Sequence, residues 1–253
     1  KTRRVMFKRV GVFLYGVLCY VVFFATFLYA VGFVCNLLVP RSMDGPPTTA
    51  LTTGLLIDLG VLLLFAAQHS VMARPAFKAW LTRFIPEPAE RSTYVLASSV
   101  ALLIVFALWE PLGGVVWSVT QPTAVIALYS ACAFGWLLVL VSTFLINHFD
   151  LFGLRQVWLY LRGEPYTHLA FRTPGPYKLV RHPLYVGWFF AFWATPTMTL
   201  THLVFALATS GYILIAIQLE ERDLVSHLGD QYSDYRKRVP MLIPGATLLR
   251  SRQ

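Results

Sequence analysis

The sequence alternates between long apolar segments and short polar ones. An apolar stretch of about 20 residues spans a bilayer as a helix, and this pattern predicts helices at residues 11–39, 50–72, 94–109 and 122–147. A fifth apolar stretch, 184–219, is too long for one span and is interrupted at 194–199. We predict a helical hairpin there, whose first arm of about twelve residues barely crosses a bilayer. The pattern therefore predicts an all-α polytopic membrane protein with five or six transmembrane helices.

Composition and charge agree with this class. The chain is 57% hydrophobic and 13% charged, whereas a soluble domain carries about 25% charged residues. The formal net charge is +9, but the basic residues flank apolar segments, which is the pattern of membrane topology and not of a nucleic-acid partner. We expect both termini in the cytoplasm, and one domain with a four-helix part at 11–147 and a C-terminal part at 148–253.

The dispersed cysteines, Cys19, Cys35 and Cys132, argue against a disulfide framework or a metal site.

The C-terminal third places charged residues beside apolar sequence. Arg181, His182 and Pro183 immediately precede the hairpin. Charged groups near hydrocarbon are costly and usually functional. Pro183 suits the first turn of a helix, and the amides of a helix N-terminus, together with Arg181 and His182, would form an anion site. Gly187, one turn later, would let another backbone or a ligand approach the helix closely.

A second polar group follows the hairpin. Adjacent carboxylates, Glu220 and Glu221, can accept hydrogen bonds from a ribose diol or an ammonium group. Tyr232, Tyr235 and Arg236 have the spacing of one helical face. Together these groups suit S-adenosylmethionine, which carries a carboxylate, an amine, a ribose, an adenine ring and a sulfonium cation that aromatic rings attract. The alternative is that the charged residues are interfacial anchors.

Residues 175–240 contain GPYKLVRHPLYVG and, after the hairpin, EERDLVSHLGDQYSDYRKRVP. This pattern resembles the isoprenylcysteine carboxyl methyltransferase and phospholipid methyltransferase superfamily of membrane enzymes, whose corresponding region binds S-adenosylmethionine. The resemblance implies that S-adenosylmethionine is the cofactor and S-adenosylhomocysteine the product. The cofactor contacts that it implies are Tyr177, Val180, Arg181, His182, Pro183, Tyr185, Gly187, Glu220, Glu221, Tyr235 and Arg236.

Two further strings, NHFDLFGLRQVWLYLRG and AAQHSVMARP, resemble the methanethiol S-methyltransferases. These are bacterial membrane enzymes that make dimethyl sulfide from methanethiol, and proteins of the NnrU type share parts of the same strings. The resemblance implies a small apolar thiol as substrate and a bacterial inner membrane as location.

Methyl transfer to a thiol requires the thiolate as nucleophile. His148 is the candidate proton acceptor, with Asp150 nearby to orient it. Arg155 could stabilise the thiolate or bind the cofactor carboxylate. Asp58 lies within the second predicted helix, where an ionisable residue is functional by default, although a buried structural hydrogen bond is an equal alternative. Tyr15 and Tyr20 we assign to packing or to the interfacial aromatic belt.

Three alternative functions stay open at this point. Within the same superfamily the substrate could be a prenylcysteine or a phospholipid. The polar residues could instead line a pathway in a non-enzymatic binding or transport protein. Some membrane sterol reductases share the C-terminal pattern and use a nicotinamide cofactor, but this chain is short for that group.

Overall fold

A computed structural model describes residues 2–246 of the chain. The α-helices, in chain order, are α1 (Thr2–Cys35), α2 (Leu51–Met72), α3 (Pro75–Leu81), α4 (Glu90–Leu108), α5 (Pro122–Ile146), α6 (His148–Leu151), α7 (Leu154–Arg162), α8 (Pro183–Trp193), α9 (Leu200–Leu228) and α10 (Asp230–Arg238). Short 3-10 turns lie at Glu87–Ala89 and Gly175–Lys178. Two short strands, β1 (Val115–Ser118) and β2 (Thr197–Thr199), pair antiparallel.

The described residues contain five helices that are long and apolar enough to cross a membrane: α1, α2, α4, α5 and α9. This confirms the prediction of an all-α polytopic membrane protein. The first arm of the hairpin, α8, has only 11 residues, fewer than the roughly 20 that a span requires. It ends at Trp193, immediately before the predicted interruption, and β2 (Thr197–Thr199) lies within that interruption.

The first and last spanning helices differ from the predicted ranges. Helix α1 includes the basic N-terminal residues and ends at Cys35, because Asn36 and Leu38 adopt positive φ angles of 55° and 57° that end a helix. Helix α9 continues past the apolar stretch to Leu228, because Leu, Glu and Arg favour a helix outside hydrocarbon too. Glu220 therefore lies inside a helix and not at its end, where the sequence had placed it.

The chain divides into two compact units. Residues 2–113 and 147–170 form the first unit, in which α1 packs against α4 and α7, and α2 packs against α4. Residues 114–146 and 171–246 belong to the second unit. The sequence grouped α5 with the first three spanning helices, but the structure places it in the second unit because it packs along α8.

Two glycines permit the packing of α5 on α8. A Cβ atom added to Gly187 would lie 2.8 Å from the carbonyl oxygen of Gly135, and one added to Gly135 would lie 2.7 Å from that of Gly187. Each glycine thus allows the backbone of the other helix to approach. The structure gives Gly187 a packing role, whereas its predicted contact with a cofactor stays a prediction.

Candidate functional site

The segment before α8 is held by backbone hydrogen bonds to the C-terminal residues. The amides of Arg181 and His182 donate to the carbonyl oxygens of Pro240 and Met241, at 2.9 and 3.2 Å. Pro183 starts the helix, as the sequence predicted. The protein itself uses these two amides, whereas the anion site expected from the amides of the helix N-terminus and the Arg181 and His182 side chains stays a prediction.

Glu221, on α9, accepts hydrogen bonds from a group of donors. Its Oε1 atom accepts from Arg181 Nε at 2.7 Å, from His182 Nε2 at 3.0 Å and from the Tyr232 hydroxyl at 3.4 Å. Its Oε2 atom lies 3.8 Å from Arg236 Nη1. The Glu221 side chain is only 7% exposed. We call these five residues the Glu221 cluster. A buried carboxylate is stable only with such partners.

The guanidinium of Arg181 also holds the end of α10. Its Nη1 atom donates to the carbonyl oxygens of Arg236 and Val239, at 3.1 and 2.6 Å. A cation at a helix C-terminus interacts favourably with the unpaired carbonyls and with the helix dipole. Arg181 is therefore bonded within the protein on several sides, and its contribution to a ligand site is to fix the position of Glu221 and α10.

Glu220 has a different environment from its neighbour. Its side chain is 46% exposed, and its Oε2 atom accepts from the Tyr185 hydroxyl at 2.9 Å. His182 Nδ1 lies 4.0 Å from the same oxygen. Glu220 and Tyr185 thus form an accessible pair next to the Glu221 cluster. The Glu220 carboxylate can still accept hydrogen bonds from a polar ligand.

Tyr232 of the cluster is buried, as are two further tyrosines, Tyr177 and Tyr235. The Tyr235 hydroxyl donates to the carbonyl oxygen of Tyr177 at 2.6 Å. The ring of Phe171 contacts the rings of Tyr232 and Tyr235, with centroids 5.9 and 5.5 Å apart. Burial raises the pKa of Tyr235 to about 12 and raises that of Tyr232 as well. Both phenols stay neutral, and Val180 is buried with them.

The first unit contains a second candidate site. Asn147 caps the short helix α6, its Oδ1 accepting from the amide of Asp150 at 3.1 Å. His148, the next residue, is only 3% exposed, and its Nε2 atom lies 2.8 Å from the Tyr20 hydroxyl. The rings of Phe149 and Phe152 pack against its imidazole. Burial lowers the pKa of His148, so that its neutral, proton-accepting form persists to lower pH.

Asp150 and Arg155 form a pair of their own. Arg155 Nη1 lies 3.0 Å from Asp150 Oδ1, and the Tyr166 hydroxyl donates to Asp150 Oδ2 at 3.3 Å. Arg155 also donates to the carbonyl and hydroxyl oxygens of Thr167, both at 2.8 Å. The predicted role of Asp150 was to orient His148, but its carboxylate binds Arg155 and Tyr166, and Tyr20 is a hydrogen-bond partner of His148.

Tyr20 is the functional candidate that sequence reasoning missed. It lies in a run of aromatic residues on α1, and its ring contacts Phe23 and Phe24, so that packing seemed its whole role. The partner, His148, is 128 positions away in the sequence. A hydroxyl group within an otherwise apolar aromatic run was the one available signal.

Asp58 is fully buried, and its Oδ1 atom accepts from the amide of Glu110 at 2.9 Å. This contact fits the structural alternative, a hydrogen bond to the end of a neighbouring helix. His69, on the same helix, contacts the Tyr94 hydroxyl at 2.9 Å and the Ser98 hydroxyl at 3.2 Å. The catalytic role of Asp58 stays a prediction.

The fold and these contacts define the class as an integral membrane protein with an acidic, tyrosine-rich site on a C-terminal helical hairpin. No family model matches the chain, and no solved structure matches it. The chain is similar to the methanethiol S-methyltransferase of Crocosphaera subtropica, at 59% identity over 237 residues, which is 94% of this chain and 93% of that one.

Two other relatives extend the comparison. The methanethiol S-methyltransferase of Mycobacterium tuberculosis is 51% identical over 237 residues, covering 94% of this chain and 97% of that one. Nurim of Sus scrofa is 34% identical over 178 residues, 66% of each chain. The chain belongs to the methanethiol S-methyltransferase family. The resemblance noted in its motifs is therefore confirmed at the level of the family.

Proposed function

We propose that this protein methylates methanethiol to dimethyl sulfide, with S-adenosylmethionine as the methyl donor and S-adenosylhomocysteine as the second product. The observation that carries this proposal is the 59% identity over nearly the whole of both chains to a protein named for that reaction. The choice of donor is supported by the resemblance of residues 175–240 to membrane methyltransferases and by the chemistry of the Glu221 cluster.

We assign donor contact first to the accessible residues of that region. Glu220 can accept hydrogen bonds from the ribose diol or the ammonium group of the donor, and Tyr185 holds this carboxylate in place. Arg236, whose side chain is half exposed, can bind the carboxylate of the donor. Arg181, His182 and the buried Glu221 keep these groups in position.

We assign the proton of the thiol to His148. A thiol with a pKa like that of free cysteine, about 8.5, is mostly protonated at neutral pH. The S–H bond breaks as an N–H bond forms on the imidazole, and the thiolate attacks the methyl carbon. The bond between that carbon and the donor sulfur breaks, and its electron pair stays on the donor sulfur. Tyr20 orients the imidazole.

The Asp150–Arg155 pair has a supporting role in this proposal. It ties Tyr166 and Thr167 to the start of α7 and so fixes the segment that follows His148. Asp58 stabilises the end of α4 through the amide of Glu110.

We further propose that both termini lie in the cytoplasm of a bacterium and that the protein resides in the inner membrane. Five spans alone would place the termini on opposite sides, so this topology requires α8 to return the chain across the membrane, and the pairing of β2, which follows α8, with β1, which precedes α5, supports that return. The Lys/Arg-rich segments flank the spans on the side that this topology places inside. The donor is a soluble cytosolic metabolite, so the hairpin residues that bind it must face that compartment.

Headspace gas chromatography tests the function directly. Purified protein in detergent receives S-adenosylmethionine and methanethiol, and dimethyl sulfide is measured over time against samples that lack donor or protein. We expect dimethyl sulfide to accumulate with time in the complete sample and not to form when the donor or the protein is omitted. If S-adenosylhomocysteine binds saturably but no dimethyl sulfide forms, the acceptor is wrong. If S-adenosylhomocysteine does not bind at all, the donor is wrong.

A further inference from the structure

His148 lies on a helix that is too short to be stable by itself. Helix α6 has four residues, His148–Leu151, and an isolated helix shorter than about 12 residues is marginal in water. Bonds to groups outside the helix therefore have to fix its position. Two amide side chains supply such bonds, that of Asn147 before the helix and that of Gln156 on α7.

Asn147 starts α6 in a strained backbone conformation. Its φ is 150° and its ψ is 90°, which lies outside the regions that L-residues ordinarily occupy. Its Oδ1 atom accepts from the amide of Asp150 at 3.1 Å, and its carbonyl oxygen accepts from the amide of Leu151 at 2.9 Å. Such a conformation persists only where the surrounding bonds determine it, and it occurs mostly at functional sites. The strain at Asn147 therefore points to a geometric requirement on the next residue, His148.

Gln156 holds the same turn from α7. Its Nε2 atom donates to the carbonyl oxygen of Asp150 at 3.1 Å. This bond needs the amide nitrogen, because a carbonyl oxygen only accepts. The main chain of Asp150 is thus bound on both sides, through its N–H group by Asn147 and through its C=O group by Gln156.

The end of α6 is fixed to α4. Gly153 follows the helix with a φ of 87°, a left-handed value that glycine adopts without strain. A Cβ atom added there would lie 2.6 Å from the Ser92 hydroxyl oxygen and 2.7 Å from the Ser92 main-chain nitrogen, so the two backbones approach closely. The turn that carries His148 is therefore attached at its start, its middle and its end, and all of these contacts lie within the first unit.

We propose that Asn147 and Gln156 are positioning residues for methyl transfer, which hold His148 at the Tyr20 hydroxyl by fixing the main chain of Asp150 on both sides. The inference rests on the proposed function, because it takes His148 as the acceptor of the thiol proton. A base has to lie within hydrogen-bond reach of the proton that it removes, and a displacement of about 1 Å can lower a rate about 10²-fold. In this role neither amide touches the reacting atoms, and each acts through the turn that carries the imidazole.

A double-mutant cycle on the full-length protein in detergent tests whether Gln156 acts through His148. Gln156→Met keeps the length of the side chain but has no donor, so kcat for dimethyl sulfide formation should decrease about 3- to 10-fold at neutral pH, with S-adenosylhomocysteine affinity within about 2-fold of the wild type. In the His148→Ala background the same substitution should have almost no further effect, because the group that it positions is absent. The matched control, Gln121→Met, removes an amide whose oxygen accepts from the Ala124 amide at 2.8 Å, and kcat should not change.

The pH dependence of the Gln156→Met variant separates positioning from folding. At alkaline pH the thiol ionises without a base, so the decrease in kcat should disappear, whereas a loss of folded protein or of donor binding would remain at every pH. A decrease that is the same at neutral and alkaline pH, or one that is as large without His148 as with it, would overturn the inference. A His148→Ala variant that turns over like the wild type would overturn the base assignment and this inference with it.

Asn147 provides an independent test from the other side of Asp150. Asn147→Ala removes the acceptor and leaves the strained φ, whereas Asn147→Gly removes the same acceptor and adopts that φ with less strain. The glycine variant should have the higher thermal unfolding midpoint, but kcat at neutral pH should be at least about 3-fold lower than in the wild type in both. Recovery of kcat together with the midpoint would mean that Asn147 acts on stability alone, which also overturns the inference. A wild-type protein that forms no dimethyl sulfide would instead overturn the proposed function.

Discussion

Two buried histidines, one in each unit, have opposite surroundings. His182 is 5% exposed, and its Nε2 atom donates to the carboxylate of Glu221. His148 is equally buried, but its Nε2 atom contacts the Tyr20 hydroxyl among aromatic rings. A carboxylate partner fixes a histidine as a hydrogen-bond donor. A neutral phenol does not fix the imidazole as a donor. Of these two histidines, His148 is therefore the one suited to accept a proton.

The contrast separates two tasks that the sequence alone could not assign. At the centre of the Glu221 cluster, Glu221 and Arg181 hold each other in place because each of them, left alone, would be a buried charge. The imidazole of His148 contacts a neutral hydroxyl, that of Tyr20, and burial lowers its pKa. We therefore expect substitutions in the Glu221 cluster to act on stability and donor binding, and those around His148 to act on turnover.

The largest effect should come from Glu221→Gln. It leaves the buried Arg181 without its counter-charge, which should lower the free energy of unfolding by about 3–5 kcal/mol and abolish measurable S-adenosylhomocysteine binding. Thermal and chemical unfolding in detergent measure the first effect, and calorimetry the second. The control is Glu220→Gln at the neighbouring, half-exposed carboxylate, which should cost less than about 1 kcal/mol. Equal stability of the two variants would contradict the distinction between a buried, paired carboxylate at Glu221 and a half-exposed one at Glu220.

His148→Ala should come next, with turnover at neutral pH lower by about 10²-fold. Its affinity for S-adenosylhomocysteine should stay within about 2-fold of the wild type. At alkaline pH the thiol ionises without help, so that turnover should recover toward the wild type. The control, His227→Ala, removes an exposed histidine that contacts only the Asp223 carbonyl among the bonds described. A loss that is the same at neutral and alkaline pH would exclude a base role.

The pH profile of the wild type gives a third test. A base must be neutral to act, and burial lowers the pKa of His148. The acid limb of kcat/KM should therefore have its midpoint below the ordinary histidine value of about 6.5. The same shift means that the unfolded chain binds the proton more readily, so this contribution to stability is present above about pH 6.5 and is lost as the pH falls through the folded value. An acid limb above pH 6.5 would point to another base.

Tyr20→Phe should have the smallest effect, a decrease in kcat of about 3- to 10-fold, because the imidazole loses its orienting hydrogen bond and keeps its aromatic neighbours. KM and donor affinity should not change. Tyr15→Phe, on the same helix, removes a hydroxyl whose partner is Thr93 and should leave kcat unaltered. Equal losses in the two variants would show that the two tyrosine hydroxyls of α1 matter in the same way, and that the contact of Tyr20 with His148 has no special role in turnover.

The carboxylate pair shows how far the sequence could predict the site. The sequence pattern identified Glu220 and Glu221 by their spacing from the preceding motif, but nothing in it distinguished one from the other. Successive residues point about 100° apart around a helix, so one carboxylate is buried among donors and the other reaches the surface. Which one is buried depends on how α9 packs against the 181–183 segment and α10, and such tertiary contacts leave no mark in local sequence.

Other features could not be predicted for the same reason. The spans followed from apolar length alone, whereas the pairing of β1 with β2 joins segments about 80 residues apart and has no local signal. The contact of Tyr20 with His148 and the preference of Asp150 for Arg155 also depend on how helices pack.

The hydrogen bonds from the amides of Arg181 and His182 to Pro240 and Met241 set an order for biogenesis. Protein chains are synthesised from the N-terminus, so the hairpin enters the membrane before the residues that complete its site have left the ribosome. A chain truncated before Pro240 therefore keeps every spanning helix but cannot fix the segment ahead of α8. Quality control that inspects only the spanning helices would not detect this defect, because it lies outside them.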